Sequence, residues 1–223
     1  MGLFDTMLGR TKPVQSNLDA LFALPSASVT LQSAANLACS GHGGVCFKPP
    51  SGQGFEEMQA EVVKLLSMDG ATDLRKAEDA FGYHWLVVED ADIGELVTRV
   101  HLVNSSLSDA GWGPQLLCSV FGIAAVPAGP ADDEGAGSGA ATDGVVPVDE
   151  VMPEVAAGPG HVVPSTGYLV YLFKRGTFYP FVPDGHEHRD SQQEFRLKSL
   201  ISDDLTVEAD LDRWFPLWDL PVG

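Results

Sequence analysis

Three residues that could bind a metal ion lie close together in the first quarter of the chain. Cys39 and Cys46 bracket a glycine-rich stretch that contains His42. Thiolate sulfur and imidazole nitrogen are preferred Zn²⁺ ligands, and His186 or His188 could supply a fourth ligand. The spacing matches no standard zinc finger, and Cys46 sits in an apolar segment where a buried thiol is ordinary. We therefore favour no metal, and these residues stay weak candidates.

The second histidine-rich stretch, His186 to His188, precedes a predicted helix. Alternate histidines on a strand could bind one metal or form a pH-sensitive surface, but we favour a polar loop that leads into the capped helix. The chain has no G-x-S-x-G, H-E-x-x-H or Walker pattern. The lack of these motifs is consistent with a protein that is not an enzyme, and we expect no cofactor. The alternative is a small metal-dependent hydrolase that uses the histidines and cysteines.

An apolar tip, residues 1–16, opens the sequence. Its large apolar side chains are Leu3, Phe4, Met7 and Leu8, which share one face of a helix. Such a face can enter a lipid interface or a groove on a partner protein, or fold back onto the chain's own core. We expect these four residues to make a contact with a partner or a membrane.

Two tryptophans near the other end, Trp214 and Trp218, flank Phe215 and Pro216. They could anchor the last helix on a sheet or form an exposed aromatic docking patch. We favour anchoring for the cluster. Since Trp218 follows the proline, we expect it to stay accessible and to contribute to partner contact.

The elements that must position these residues follow from hydrophobic periodicity. Asn17 predicts a short helix ending at Pro25, and the alternation over Ser28–Ser33 predicts a strand paired with Val45–Lys48. Further along, the pattern predicts a helix, a hairpin and a second helix: Phe55–Met68, then Asp73–Ala77 with Tyr83–Glu89, then a helix from Asp92 to Gly111 with an Asp92/Glu95 cap.

The second half predicts a strand, a loop and a hairpin before two helices. These are Leu116–Val126, a flexible acidic Gly/Ala/Pro-rich loop at about 128–163, Tyr168–Pro183, a helix capped by Ser191 with Glu194, and a last helix capped by Thr206. Hairpins dominate, so we predict an α+β fold with a largely antiparallel sheet and helices packed against it. The order of elements is similar to that of secretion chaperones. We expect a single domain over 17–223.

Charge and composition exclude several classes of partner. The net charge of −18 opposes the phosphate backbone, so no nucleic acid is expected. Three cysteines make no disulfide framework, and we see neither a secretory signal nor an apolar run long enough to span a bilayer. A cytoplasmic protein is the expectation.

Several stretches together resemble the actinobacterial PspA-associated protein PspAB family. The resemblance lies in residues 1–27, Gly44–Pro49, Tyr83–Asp90 and Trp214–Trp218, and leaves out the acidic loop. It implies an accessory or adaptor protein of a phage-shock, or envelope-stress, response with no defined biochemical activity. The implied partner is phage-shock protein A or another membrane-stress component, with peripheral contact at the inner face of the cell membrane.

A third hypothesis is a chaperone-like protein that binds unfolded or secreted segments. It requires a concave apolar face on the sheet, and the sequence does not decide whether one exists.

Overall fold

The computed structural model describes residues 16–48, 60, 64, 74–126, 166–185 and 187–222. The tip up to residue 15, the predicted loop at 128–163 and His186 lie outside these residues. So does the predicted helix Phe55–Met68, apart from residues 60 and 64.

Six antiparallel strands form one sheet in the order β2-β3-β1-β4-β5-β6. The strands are β1 (Leu37–Phe47), β2 (Arg75–Glu78), β3 (His84–Glu89), β4 (Leu116–Ala125), β5 (Gly167–Leu172) and β6 (Thr177–Phe181). With the helices on one face, this confirms the predicted α+β class. The two predicted hairpins, β2–β3 and β5–β6, are both present.

The helices cover one face of the sheet. A 3₁₀-helix (Leu18–Ala23) runs directly into α1 (Leu24–Ala35), and α2 (Ile93–Leu107) and α3 (Ser191–Ile201) complete this layer. Their buried side chains meet the inward residues of β1, β3, β4 and β5 in the main core, which includes Leu31, Val45, Val97, Phe121 and Leu197.

The strand predicted at Ser28–Ser33 is wrong, because these residues lie within α1. Leu24, Ala27 and Leu31 are buried at helical spacing, whereas Val29 is 67% exposed. Pro25 does not end a helix either. It occupies the first turn of α1, where no backbone N–H is needed for an intrahelical bond.

Four helix starts were predicted from capping residues. Asn17 precedes the 3₁₀-helix as predicted, but its side chain makes no capping hydrogen bond. Of the other three caps, one is confirmed. The Asp92 carboxylate accepts a hydrogen bond from the Glu95 N–H at 3.0 Å and caps α2. At α3 the cap is Asp190 rather than Ser191, with its carboxylate 2.9 Å from the Gln193 nitrogen. The last helix is a 3₁₀ turn, Leu211–Arg213, capped by Asp210 and not by Thr206.

Adjacent glycines let the central strand β1 pack closely on both faces. A Cβ atom at Gly43 would lie 3.1 Å from Leu96 Cδ1 of α2. One at Gly44 would lie 2.7 Å from Val222 Cγ2 on the opposite face. Only a residue without a side chain fits there as the chain stands, which explains the glycine-rich stretch without a metal.

The face opposite the helices is covered in part by a C-terminal strap, residues 214–222. Trp214 and Val222 are buried there in a second apolar cluster with Trp85, Val120 and Tyr179. The Tyr168 hydroxyl donates to the Val222 carbonyl at 2.9 Å and tethers the end of the strap. The predicted anchoring of the tryptophan cluster therefore holds for Trp214.

Candidate functional site: an apolar groove

A groove of about 610 Å³ lies on the strap side of the sheet. Such a volume is typical of ligand and peptide pockets, and the lining is mostly apolar. The strands, the β2–β3 turn, the β5–β6 turn and the strap form the floor and walls of the groove. The lining residues are Cys46, Asp79, Phe81, Tyr83, Trp85, Leu117, Cys118, Leu172, Lys174, Arg175, Tyr179, Arg213, Phe215, Pro216, Leu217 and Trp218.

The floor of the groove is uncharged at neutral pH. Cys46 and Cys118 face each other across the β1–β4 pair. A hydrogen bond with Cys118, and then burial, raises the pKa of the Cys46 thiol. Burial also raises the pKa of Tyr179 well above its usual value. Since both groups stay protonated, the floor offers no ion to a ligand and suits apolar side chains.

One wall is the β2–β3 turn, which Asp79 holds in shape. Its carboxylate accepts hydrogen bonds from the Phe81 and Tyr83 nitrogens at 2.9 and 3.0 Å, and from Trp85 Nε1 at 3.0 Å. Phe81 at the tip of this turn is nevertheless 62% exposed. The turn therefore presents an aromatic ring to solvent on a fixed backbone.

The opposite wall is the beginning of the strap. The Tyr179 hydroxyl donates to the Phe215 carbonyl at 2.8 Å and fixes the backbone there, while the Phe215 ring is 56% exposed. Trp218 packs edge-on against Phe181, with ring centroids 5.3 Å apart, and is only half-buried. Exposed aromatic rings thus flank the groove on both sides.

Cationic side chains lie at the rim beside the β5–β6 turn. Arg175 pairs with the buried carboxylate of Glu208, and Arg213 pairs with Asp210 at 3.0 Å. Lys174 forms no ion pair with any residue that the structure describes. The rim thus offers the ammonium group of Lys174, while the charges of both arginines are offset by their partners and Asp79 adds a carboxylate to the same lining.

The weak metal candidates are not brought together. Cys39 packs against the helix-side core, whereas His42 lies next to Glu89 with Nδ1 to Oε1 at 3.7 Å. Strand alternation places His42 on the same face as Cys46, away from Cys39. His188 is exposed in the loop before α3, and His186 lies outside the described residues. Within the described part of the chain, no cluster of three ligating side chains could hold a metal.

Of the predicted contact residues, Trp218 lines the groove. Leu3, Phe4, Met7 and Leu8 lie outside the described residues. Sequence reasoning missed the floor and the β2–β3 wall. The sequence of β5 carried the signal for them, because it is apolar on both faces. Such a strand needs an apolar cover on each side of the sheet. The strap covers only part of that second face.

The sequence model of the family "PspA associated protein B" (PspAB) matches residues 1–132 and 160–222. The chain belongs to this family. The match spans most of the chain, including the tip, the groove and the strap, and it omits residues 133–159 within the predicted acidic loop. The PspAB family name describes association with PspA, a component of a stress response. No curated protein and no solved structure matches the chain, so its likeness to secretion chaperones stays a prediction.

Membrane contact was expected to be peripheral at most. Among the residues that the structure describes, no helix combines the length and apolar character needed to cross a bilayer.

Proposed function

We propose that this protein is a non-catalytic accessory or adaptor protein of an envelope-stress response, and that its apolar groove binds a protein partner. The observation that carries the proposal is the groove itself, with Phe81 and Phe215 exposed on opposite walls over an uncharged floor. Exposed aromatic rings around an apolar depression are typical of protein-binding sites. Membership in the PspAB family makes PspA the first partner to test.

The groove suits an apolar segment of the partner that places several of its side chains into the groove. A helix that lays one face into a groove uses apolar residues at helical spacing. The ammonium group of Lys174 at the rim favours an acidic residue beside that apolar face. The protein would act at the cytoplasmic side of the cell membrane, where it would meet PspA.

The direct experiment is a calorimetric titration of the purified chain into PspA from the same source. We expect a saturable complex of fixed stoichiometry. If PspA does not bind, the same titration with the other components of that stress response decides whether an adaptor role survives. Absence of binding to all of them would contradict the proposal.

A second candidate, a chaperone-like binder of unfolded segments, is also favoured by the groove, because a concave apolar face is what that role requires. The two functions differ in selectivity. A chaperone-like protein would suppress aggregation of several unrelated reduced proteins at equal molar ratio. An adaptor would bind its partner in the folded state and leave such aggregation unchanged.

The N-terminal tip supplies the second contact in this proposal. Its residues Leu3, Phe4, Met7 and Leu8 would make a reversible contact with the membrane surface or with the partner. Changing all four to Ser should lower co-sedimentation with lipid vesicles or change the affinity of the chain for PspA. If both measurements stay at wild-type values, the tip has no such role.

A further inference from the structure

The described chain begins next to the β5–β6 turn, on the helix side of the sheet. The Tyr171 hydroxyl donates to the Asn17 carbonyl at 2.8 Å, and Asn17 lies directly against Gly176 in the β5–β6 turn. The two residues before Gly176 in that turn, Lys174 and Arg175, line the groove. The preceding residues therefore continue from a point next to this turn and would pass around the end of the sheet to reach the groove on its other face.

The preceding segment has enough reach and the right chemistry to fill the groove. Leu8 lies nine residues before Asn17. An extended chain of nine residues reaches about 30 Å. The four apolar side chains of the tip match the uncharged floor between Phe81 and Phe215. Asp5, within the same stretch, carries the charge that would pair with Lys174 at the rim.

We infer that the apolar tip of this chain occupies the chain's own groove when no partner is bound. The groove is then a self-covered site, and a partner must displace the tip before it can bind. Displacement would release Leu3, Phe4, Met7 and Leu8 for the membrane or partner contact proposed above. The occupant needs no partner to be present, so this inference can fail while the proposed function stands.

Tethering makes the intramolecular contact effective even if each side chain contributes little. A short flexible linker gives a tethered segment an effective concentration of about millimolar. A free peptide at micromolar concentration therefore competes poorly with the same sequence attached to the chain. The affinity of a free tip peptide for the chain therefore measures whether the tip already occupies the groove.

The experiment uses a fluorescein-labelled peptide of residues 1–16 and two forms of the full-length chain. One form is wild type, and in the other Leu3, Phe4, Met7 and Leu8 are all changed to Ser. Fluorescence polarisation should show saturable binding to the Ser variant, and at least about tenfold weaker binding to wild type. Should the fourfold variant prove unfolded by circular dichroism, the variant Phe4→Ser/Leu8→Ser serves the same purpose.

The site is located by further changes in the Ser variant. Phe81→Ser/Phe215→Ser on the groove walls should abolish peptide binding. The matched control is Phe22→Ser/Val29→Ser, which removes exposed apolar side chains on the helix side of the sheet, and it should leave peptide binding unchanged.

Three results would overturn the inference. They are no peptide binding to either form, equal peptide binding to both forms, and binding that survives Phe81→Ser/Phe215→Ser. A wild-type dimer that becomes a monomer in the Ser variant would also overturn it, because the occupant would then come from a second copy.

Discussion

At the residue scale, a buried carboxylate pairs with an arginine at the rim of the groove. Glu208 is only 1% exposed, pairs with Arg175 and accepts a hydrogen bond from Thr177 Oγ1 at 2.8 Å. Burial raises the pKa of Glu208, but hydrogen bonds from Arg175, the Asp210 N–H and Thr177 outweigh burial and lower the pKa to about 2. The folded protein therefore binds this proton more weakly than the unfolded chain does.

This shift predicts a specific loss of stability in acid. Because the folded pKa is depressed, the contribution of Glu208 is complete above the unfolded pKa of about 4.3 and is lost as the pH falls toward 2. That contribution is about 3 kcal/mol of unfolding free energy. Glu208→Gln should lower stability at pH 7 by about 1–3 kcal/mol, because the Arg175 pair is lost. The variant should also lose less stability than wild type between pH 5 and pH 3.

Urea unfolding at pH 7, 5 and 3 measures both effects. The control is Asp203→Asn, which changes an exposed carboxylate that forms no ion pair within the described residues. Parallel stability curves for wild type and Glu208→Gln would show that Glu208 does not carry the acid dependence.

The residue scale also shows why a metal was a weak prediction from the sequence. Cys39, His42 and Cys46 are close in the chain, but side chains alternate across a strand and a bulge interrupts β1 between Cys39 and Gly43. Spacing alone gives no information about which face each residue takes. The Cys46–Cys118 contact across β1 and β4 depends on strand register, which the sequence does not reveal.

At the element scale, the C-terminal strap depends on the absence of a side chain at Gly44. Gly44→Ala would place a methyl group 2.7 Å from Val222 Cγ2, so the strap end must shift. We expect a loss of about 1–3 kcal/mol, which is typical of overpacking. Thermal unfolding monitored by tryptophan fluorescence measures it, since Trp85 and Trp214 lie in the same cluster.

A compensating change tests the stated cause. In the double variant Gly44→Ala/Val222→Ala, the atom that clashes is gone. The double variant should therefore be at least as stable as Val222→Ala alone, which gives a favourable coupling between the two sites. Additive losses would mean that Gly44 serves another purpose, such as the backbone conformation of β1.

Element prediction succeeded where periodicity and caps agreed. The α2 helix, strand β4 and both hairpins carry strong local patterns, and each is present. The failure at Ser28–Ser33 has a physical cause, because Val29 and Leu31 alternate like a strand while Leu24, Ala27 and Leu31 repeat like a helix. Burial against the sheet decided between the two patterns, and burial is not a local property.

At the scale of the whole molecule, the acidic insertion separates two neighbouring strands. Ile123 of β4 pairs with Gly167 of β5, so the chain leaves and re-enters the sheet at the same edge. The family match omits residues 133–159. Deleting 133–159 leaves a connection of 14 residues, 126–132 and 160–166, between β4 and β5, a length that loop statistics allow.

We expect this deletion to leave the thermal midpoint within about 2 °C of wild type, as for a segment that contributes no core. The deletion removes acidic residues, so the comparison is made at 0.15 M salt and repeated at 1 M to screen charge repulsion. A drop of more than about 5 °C at both salt concentrations would show that the segment packs on the folded part.

The groove itself could not be predicted, because its position depends on which part of the sheet the strap leaves uncovered. The sequence indicated its components: a strand apolar on both faces, an aromatic cluster near the C-terminal end and an apolar tip. Their assembly requires the strand order β3-β1-β4-β5-β6, which places Trp85, Cys46, Cys118, Leu172 and Tyr179 side by side. No local pattern specifies this order.

The central claim is that the groove between Phe81 and Phe215 binds the protein partner. The most direct test is the dissociation constant for PspA, measured by calorimetry with wild type, Phe81→Ser/Phe215→Ser and the helix-side control Phe22→Ser/Val29→Ser. Both pairs are exposed, so neither change should unfold the protein. We predict at least about tenfold weaker binding for the groove variant, equivalent to about 1.4 kcal/mol, and wild-type affinity for the control. Equal affinities for wild type and the groove variant would contradict the account.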